Sequence, residues 1–184
     1  VSCVILSDYG QGVIYDDGVN RISNYARENN IPIIADPKLT GLHRTHNVDW
    51  IIFQSRGFEL MKRRIGESED TVAASNLINN YGWKHLVVLS GENGVTIYSK
   101  DEETVHVPCT LSQLRQIIGL IDAAVVAIAI SISKGFDVSD TALLTNAACE
   151  CILGAENTDS FSLAKNDLIN RVGEIAWNLQ VSKR

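Results

Sequence analysis

The sequence is poor in the residues that mark several classes of protein. Its four cysteines include no Cys-x-x-Cys pair, and a chain of 184 residues does not need disulfides to hold its core together. No apolar stretch reaches the roughly 20 residues required to cross a bilayer, and no signal or transit peptide is recognisable. These absences exclude a disulfide scaffold and predict a cytoplasmic protein with reduced thiols and no membrane partner.

Positive charge is also scarce. The 16 lysines and arginines are outnumbered by 22 acidic residues, so the formal net charge is −6. Apart from Lys62-Arg63-Arg64, the basic residues do not cluster. An acidic surface does not attract nucleic acid or an anionic membrane, and we therefore expect no nucleic-acid partner.

The start of the chain is unusual for a complete protein. Val1 stands directly before an apolar run, and the one methionine is Met61. We therefore expect an N-terminal part to be missing. With only three prolines and no low-complexity linker, residues 1–184 are predicted to form a single domain.

Apolar runs alternate with helix-like stretches through the first half of the chain, which predicts a parallel sheet covered on both faces. The predicted strands are at about 3–7, 31–35, 50–53 and 85–89, and the first helices at about 17–29, 57–65 and 69–81. Later strands at about 95–98 and 104–107 predict an antiparallel extension, and helices are predicted at about 112–133, 138–152 and 162–179. The expected fold class is three-layer α/β.

Two strand ends carry polar motifs, Ser7-Asp8-Tyr9-Gly10-Gln11-Gly12 and Asp36-Pro37-Lys38. Open parallel sheets place ligands at the carboxyl ends of their strands, so these groups are expected at one edge. For Asp8 and Lys38 a surface salt bridge is the alternative. Together the two motifs resemble the ribokinase, or PfkB, family of carbohydrate kinases. The likeness is greatest to kinases that act on D-glycero-D-manno-heptose 7-phosphate during ADP-heptose synthesis for lipopolysaccharide.

This resemblance implies a ribokinase-like fold, of which the chain would be the C-terminal, nucleotide-side portion. It implies ATP-dependent phosphoryl transfer to a sugar phosphate, with ATP and Mg²⁺ as cofactors. Asp8 and Lys38 would then bind the substrate. Because an open sheet edge templates further pairing, we also expect a homodimer or association with the missing N-terminal part.

The catalytic motif of the family is Gly-Ala-Gly-Asp, which this chain renders as Gly119-Leu120-Ile121-Asp122. The resemblance makes Asp122 the base that deprotonates the acceptor hydroxyl and Gly119 part of an anion hole at a helix N-terminus. Ile121 replaces the second glycine, and Gln116 stands where the family has an acidic residue. The alternative is that Asp122 only caps a buried helix.

Further positions match the family's nucleotide contacts: Ser90, Gly91 and Gly94 at the phosphates, Asn146 beside adenine, and Gly154 with Thr158 in the following loop. An ordinary turn and the packing of a small-residue helix are the alternatives for these segments. Glu59 would hold Mg²⁺, although the neighbouring asparagine of the family motif is lost. These losses favour a second hypothesis, a catalytically impaired pseudokinase that acts as a binding or scaffold module.

Overall fold

The strands lie side by side in one sheet. The computed structural model describes residues 1–12, 14–155 and 163–182. The strand order follows the chain: β1 (Val4–Asp8), β2 (Ile33–Pro37), β3 (Trp50–Gln54), β4 (His85–Leu89), β5 (Val95–Ser99) and β6 (Val105–Val107). The first four strands run parallel, and the end strands are antiparallel. The predicted α/β fold, with its antiparallel extension, is confirmed.

The central strands are buried because they are continuously apolar. Ile34 and Ile51 are each 0% exposed, and Ile51 aligns with Ala35 on one side and Leu86 on the other. A strand covered on both faces cannot alternate polar with apolar residues. The β1–β2 register places Asp8 opposite Pro37, so the two polar motifs do begin at one edge of the sheet.

Within the described residues, six α-helices accompany the sheet: α1 (Asp16–Glu28), α2 (Ser55–Ile65), α3 (Asp70–Tyr81), α4 (Leu120–Lys134), α5 (Val138–Leu153) and α6 (Lys165–Ser182). Short 3₁₀ helices cover Leu39–Arg44 and Gly91–Asn93. Capping explains several boundaries. The Glu69 carboxylate accepts the Thr71 and Val72 amides before α3, and a left-handed Gly82 ends that helix.

The helix predicted at about 112–133 is wrong over residues 112–119, which are not helical in the structure. The structure begins α4 at Leu120, because Gly119 has φ +83° and ψ 2°. A left-handed residue reverses the backbone and cannot lie inside a right-handed helix. The apolar pattern upstream of Gly119 therefore belongs to an irregular segment, in which Ile117 and Ile118 are 64% and 55% exposed.

The chain divides into two compact units by its internal contacts. The first unit is Val1–Leu89 with Ile97–Thr104, and its core includes Trp83, whose indole N–H donates to the Thr45 carbonyl over 2.8 Å. The second unit is Ser90–Thr96 with the described residues from Val105 onward. There α4 packs on α5 through Ala123, Ala127, Ala148 and Ile152. The expectation of one domain over residues 1–184 stays a prediction.

Two further observations concern the chain as a whole. All four cysteines are free. Among the described residues, no helix combines the length and apolar character needed to cross a bilayer. β1 is an end strand of the sheet and leaves Ile5 45% exposed, but the expected partner along this edge stays a prediction.

Candidate functional site

The N-terminus of α4 is shaped by Gly119. Its positive φ turns the chain into the helix, and its carbonyl accepts the first helical bond from the Ala123 amide over 2.9 Å. A Cβ at this position would meet no atom within 4 Å. The glycine is therefore required by its backbone conformation and not by lack of space.

A cavity of about 520 Å³ opens beside this helix end. Its polar lining includes Asp122, in the first turn of α4, and Gln116. The side-chain oxygen of Gln116 is buried and has no hydrogen-bond partner among the described residues. The rest of the lining comprises Ile118, Gly119, Ala123, Val126, Ile152 and Leu163. The second unit thus brings Gly119 and Asp122 to one cavity, and their catalytic roles stay a prediction.

Ile121 does not narrow this cavity. It lies in the first turn of α4 with an ordinary negative φ and is absent from the described residues that line the cavity. Ile118, directly before Gly119, contributes an apolar side chain to the lining of the cavity. Because Ile121 lies in α4 with a negative φ, the helix forms with isoleucine in place of the second glycine.

The turn Ser90–Gly94 closes on itself through its backbone. The Ser90 amide donates to the Gly94 carbonyl over 2.8 Å, and the Gly94 amide donates to the Gly91 carbonyl over 3.0 Å. Gly94 has φ +84° and ψ −146°, and a Cβ there would overlap the Val107 carbonyl oxygen and lie 2.7 Å from the Cys109 nitrogen. Only glycine fits this conformation and this space.

Asn146 lies on α5 with 1% exposure and is committed to contacts inside the protein. Its amide nitrogen donates to the Pro108 carbonyl over 3.2 Å and to the Glu150 carboxylate over 2.9 Å. Glu150 also accepts the backbone amide of Thr110 over 2.7 Å and its hydroxyl over 2.9 Å. These bonds give Asn146 a structural reason to be present, and its role beside adenine stays a prediction.

Arg171 completes this network and was missed by sequence reasoning. Its Nε donates to Glu150 over 2.5 Å, and its Nη2 donates to the Thr110 hydroxyl over 2.9 Å. A signal existed, because Glu150 interrupts the apolar run Ala147–Leu153 and a buried carboxylate requires a charged or hydrogen-bonding partner. The pattern indicates that a partner must exist without saying which residue it is.

The other predicted nucleotide-loop residues are described only in part. Gly154 ends α5, and its amide donates to the Glu150 carbonyl over 2.9 Å. A Cβ on Gly154 would lie 3.2 Å from that carbonyl, so the glycine allows the close turn. Thr158 lies outside the described residues.

In the first unit, Asp8 is 8% exposed, and both oxygens of its carboxylate accept hydrogen bonds. One oxygen accepts the Gly10 amide over 2.8 Å, and the other accepts from Arg44 Nη1 over 2.9 Å. Arg44 also donates to Asp16 over 2.6 Å, and this hydrogen bond lowers the pKa of Asp16. The salt bridge considered for Asp8 thus forms with Arg44, a residue that the motifs did not single out.

Lys38 follows β2 and is exposed. Its amide donates to the Asp8 carbonyl over 3.1 Å, and its ammonium lies 5.8 Å from the centre of the Tyr9 ring. The structure therefore brings Lys38 and Asp8 together through the backbone, while their carboxylate and ammonium make separate contacts. Their role in substrate binding stays a prediction.

Glu59 lies on α2 and pairs with Lys62, whose Nζ donates to it over 2.9 Å. Lys62 is 7% exposed and also pairs with Asp70. Over the described ranges of the chain, no three His, Cys, Asp or Glu side chains are grouped so that they could hold a metal ion. A role for Glu59 in Mg²⁺ binding stays a prediction.

Comparison with known proteins identifies the family. The family model described as "pfkB family carbohydrate kinase" matches residues 3–165. The chain belongs to this family. The resemblance seen in the Ser-Asp-Tyr-Gly-x-Gly and Asp-Pro-Lys motifs is thereby confirmed.

Two of the curated relatives are bifunctional proteins named HldE. The chain is 26% identical over 163 residues to the bifunctional protein HldE of Aliivibrio fischeri (strain MJ11), and 28% identical over 164 residues to that of Vibrio atlanticus (strain LGP32). Each alignment covers 88% of this chain and 34% of the relative. The chain thus spans about a third of the length of the curated relatives it matches.

Solved structures of pfkB-like fold match over nearly the whole chain. The ribokinase of Arabidopsis thaliana, solved with ribose and ATP, gives a TM-score of 0.77 at 14% identity, covering 94% of this chain and 56% of that one. Phosphofructokinase-2 of Escherichia coli, solved with fructose-6-phosphate, gives 0.75 at 15% identity with the same coverage. At this identity the likeness shows the fold alone, which is the ribokinase-like α/β fold.

Proposed function

We propose that this pfkB-family chain takes part in ATP-dependent phosphoryl transfer to a sugar phosphate of the heptose 7-phosphate type. The observation that carries the proposal is the cavity at the N-terminus of α4, which Gly119 and Asp122 both line. Sequence similarity to HldE supports the substrate class. The nucleotide and the sugar phosphate are the proposed partners.

The chemistry follows from the position of Asp122. Backbone amides at a helix N-terminus and the helix dipole favour an anion, here the phosphoryl group in transfer. A carboxylate in the same turn can remove the proton from an acceptor hydroxyl as the new phosphorus–oxygen bond forms. The bond to the leaving nucleotide breaks in the same displacement, and the proton ends on Asp122.

The resemblance also implies Mg²⁺, with Glu59 as its ligand. In the structure Glu59 accepts from Lys62. Mg²⁺ demands several oxygen ligands in octahedral geometry, and one carboxylate already paired with an ammonium does not fit that demand. In the proposed reaction the phosphates are bound by the backbone amides at the N-terminus of α4.

The second hypothesis, a non-catalytic binding or scaffold module, has its own support. Asp8 and Asn146 are both satisfied by groups of the protein, Arg44 for the first and Pro108 and Glu150 for the second. Side chains committed in this way are less available to a substrate. A module of this kind would bind nucleotide without transferring phosphate.

Calorimetric titration tests the proposal. We expect ATP to bind at least tenfold more tightly than adenosine, since one charge-assisted hydrogen bond to phosphate contributes roughly 1.5–3 kcal/mol. Equal affinities would contradict phosphate binding at the helix end. Mg²⁺ is expected to add little, and a large Mg²⁺-dependent gain would contradict the reasoning about Glu59.

Measuring ADP release with and without heptose 7-phosphate distinguishes a kinase from a non-catalytic binding module. We expect Asp122→Asn to lower this rate by roughly 10²–10⁴-fold, the contribution of a general base. Asp140→Asn is the matched control, because Asp140 is also an exposed carboxylate in the first turn of a helix, α5. ATP preference without sugar-dependent turnover would favour the binding module.

A further inference from the structure

A continuous series of contacts in the second unit leads from α6 to the turn Ser90–Gly94. It starts at the ion pair between Arg171 on α6 and Glu150 on α5. The Glu150 side chain is 0% exposed and that of Arg171 is 20% exposed. A carboxylate removed from water is stable only when donors replace the lost hydration, and Arg171 is the charged donor here.

The middle of the series is the segment 107–110, which side chains of α5 and α6 hold on both sides of Cys109. On one side the Pro108 carbonyl accepts from Asn146 over 3.2 Å. On the other side the Thr110 amide donates to Glu150 over 2.7 Å. Arg171 also reaches the Thr110 hydroxyl over 2.9 Å, so it contacts both the segment and the carboxylate that holds it.

The far end of the series is Gly94, whose backbone lies directly on residues 107–109. A Cβ on Gly94 would overlap the Val107 carbonyl oxygen and would approach the Pro108 carbonyl carbon to 2.8 Å. There is no space between the two backbones. A displacement of residues 107–109 toward the turn must therefore displace the turn, and a displacement away from it removes the packing of Gly94 on these residues.

We propose that Arg171 is a positioning residue that, through Glu150, holds residues 107–110 and with them the turn Ser90–Gly94. If the turn contacts the nucleotide phosphates, Arg171 sets the affinity for ATP from a distance; this last step rests on the proposed function. The holding of the turn does not rest on it. An arginine suits the task because its planar guanidinium reaches a carboxylate and a hydroxyl at fixed angles, which a lysine cannot do.

Hydrogen–deuterium exchange of the intact chain, read by mass spectrometry, tests the holding of the turn. We expect Arg171→Met and Glu150→Gln to raise exchange at least tenfold at the amides of Ser90, Gly94 and Thr110. Arg171→Lys should give an intermediate rise, because the charge remains and the fork geometry is lost. Unchanged exchange at these amides in a folded Arg171→Met chain would overturn the proposal.

Asp49→Asn is the matched control. Asp49 is a largely buried carboxylate of the first unit that also accepts a backbone amide, from Ile33 over 2.8 Å, and pairs with Lys84. Its substitution should lower stability without changing exchange at Ser90, Gly94 and Thr110. A rise there equal to that in Glu150→Gln would show a general loosening and overturn the specific role of Arg171.

Titration with ATP and with adenosine tests the link to the nucleotide. We expect Arg171→Met to lower the ratio of ATP to adenosine affinity at least fivefold, and Asp49→Asn to leave this ratio unchanged. Faster exchange with an unchanged ratio would overturn the positioning role toward the nucleotide. A wild-type chain without any preference for ATP would overturn the proposed function, while the exchange result would still support or overturn the holding of the turn.

Discussion

Removing Arg171 should isolate a buried charge, and the structure sets the size of the effect. Glu150 is 0% exposed, so Arg171→Met leaves its carboxylate without its charged partner. Breaking a buried pair in this way costs about 3–5 kcal/mol, a large share of the roughly 5–15 kcal/mol that stabilises a domain. Glu150→Gln should cost less, about 2 kcal/mol, because Arg171 keeps Glu174 at 2.7 Å and the glutamine oxygen still accepts a hydrogen bond.

The double variant distinguishes charge isolation from simple loss of contacts. If isolation dominates, adding Glu150→Gln to Arg171→Met removes the unpaired charge and raises the free energy of unfolding by about 1–2 kcal/mol above that of Arg171→Met. Independent contacts would instead make the double variant the least stable of the set. Urea denaturation followed by far-UV circular dichroism measures all members of this cycle. An additive cycle would refute the reasoning.

Two further predictions concern pH and backbone geometry. Burial lowers the pKa of His85 from 6.5 to about 4, so the folded state resists protonation of this side chain. The free energy of unfolding should have its full value above pH 6.5 and fall by roughly 2–3 kcal/mol as the pH drops toward 4. In pH-dependent urea denaturation, His85→Asn should give a flatter profile. A pH-independent stability across this window would contradict the lowered pKa. Gly94→Ala should lower the free energy of unfolding by well over about 2 kcal/mol, because the new methyl group meets the Val107 carbonyl. Gly66 also has a positive φ, but a Cβ there would meet no atom within 4 Å, so Gly66→Ala should cost only about 1–2 kcal/mol. Thermal unfolding measures both variants. Similar losses of stability in the two variants would show that the positive φ alone, and not the lack of space, requires glycine at position 94.

The sheet could be predicted from the sequence because its signal is local. Ile33, Ile51 and Leu86 sit in short apolar runs that end at polar groups, and such runs form strands buried on both faces. The alternation of these runs with amphipathic helices then fixes parallel pairing, since a crossover must bring the chain back to the same edge. The start of α4 could not be predicted in this way, because apolar residues continue upstream of Gly119 and only its φ shows where the helix begins.

The candidate site could be predicted at the level of position and not of contacts. Asp122 lies three residues after Gly119 at a helix start, and both residues line the cavity, while their catalytic roles stay a prediction. The partners of Asp8 and Asn146 lie far along the chain, at Arg44 and Glu150 among others, and no local pattern specifies them. A buried polar side chain indicates that a partner exists, whereas the choice of partner is made by tertiary packing.

The degenerate family motif still forms a helix terminus in this chain. The glycine that must adopt a left-handed conformation is Gly119, with φ +83°, and it is retained. Ile121 occupies a helical position that any residue except proline can adopt, and it does not line the cavity among the described residues. The helix therefore still begins at Leu120, directly after this glycine. Ile118 and Val126 line the same cavity as Asp122 and make part of its surface apolar. Any loss of activity in this chain should accordingly arise from how Asp122 and the phosphates are solvated and not from a collapsed helix terminus.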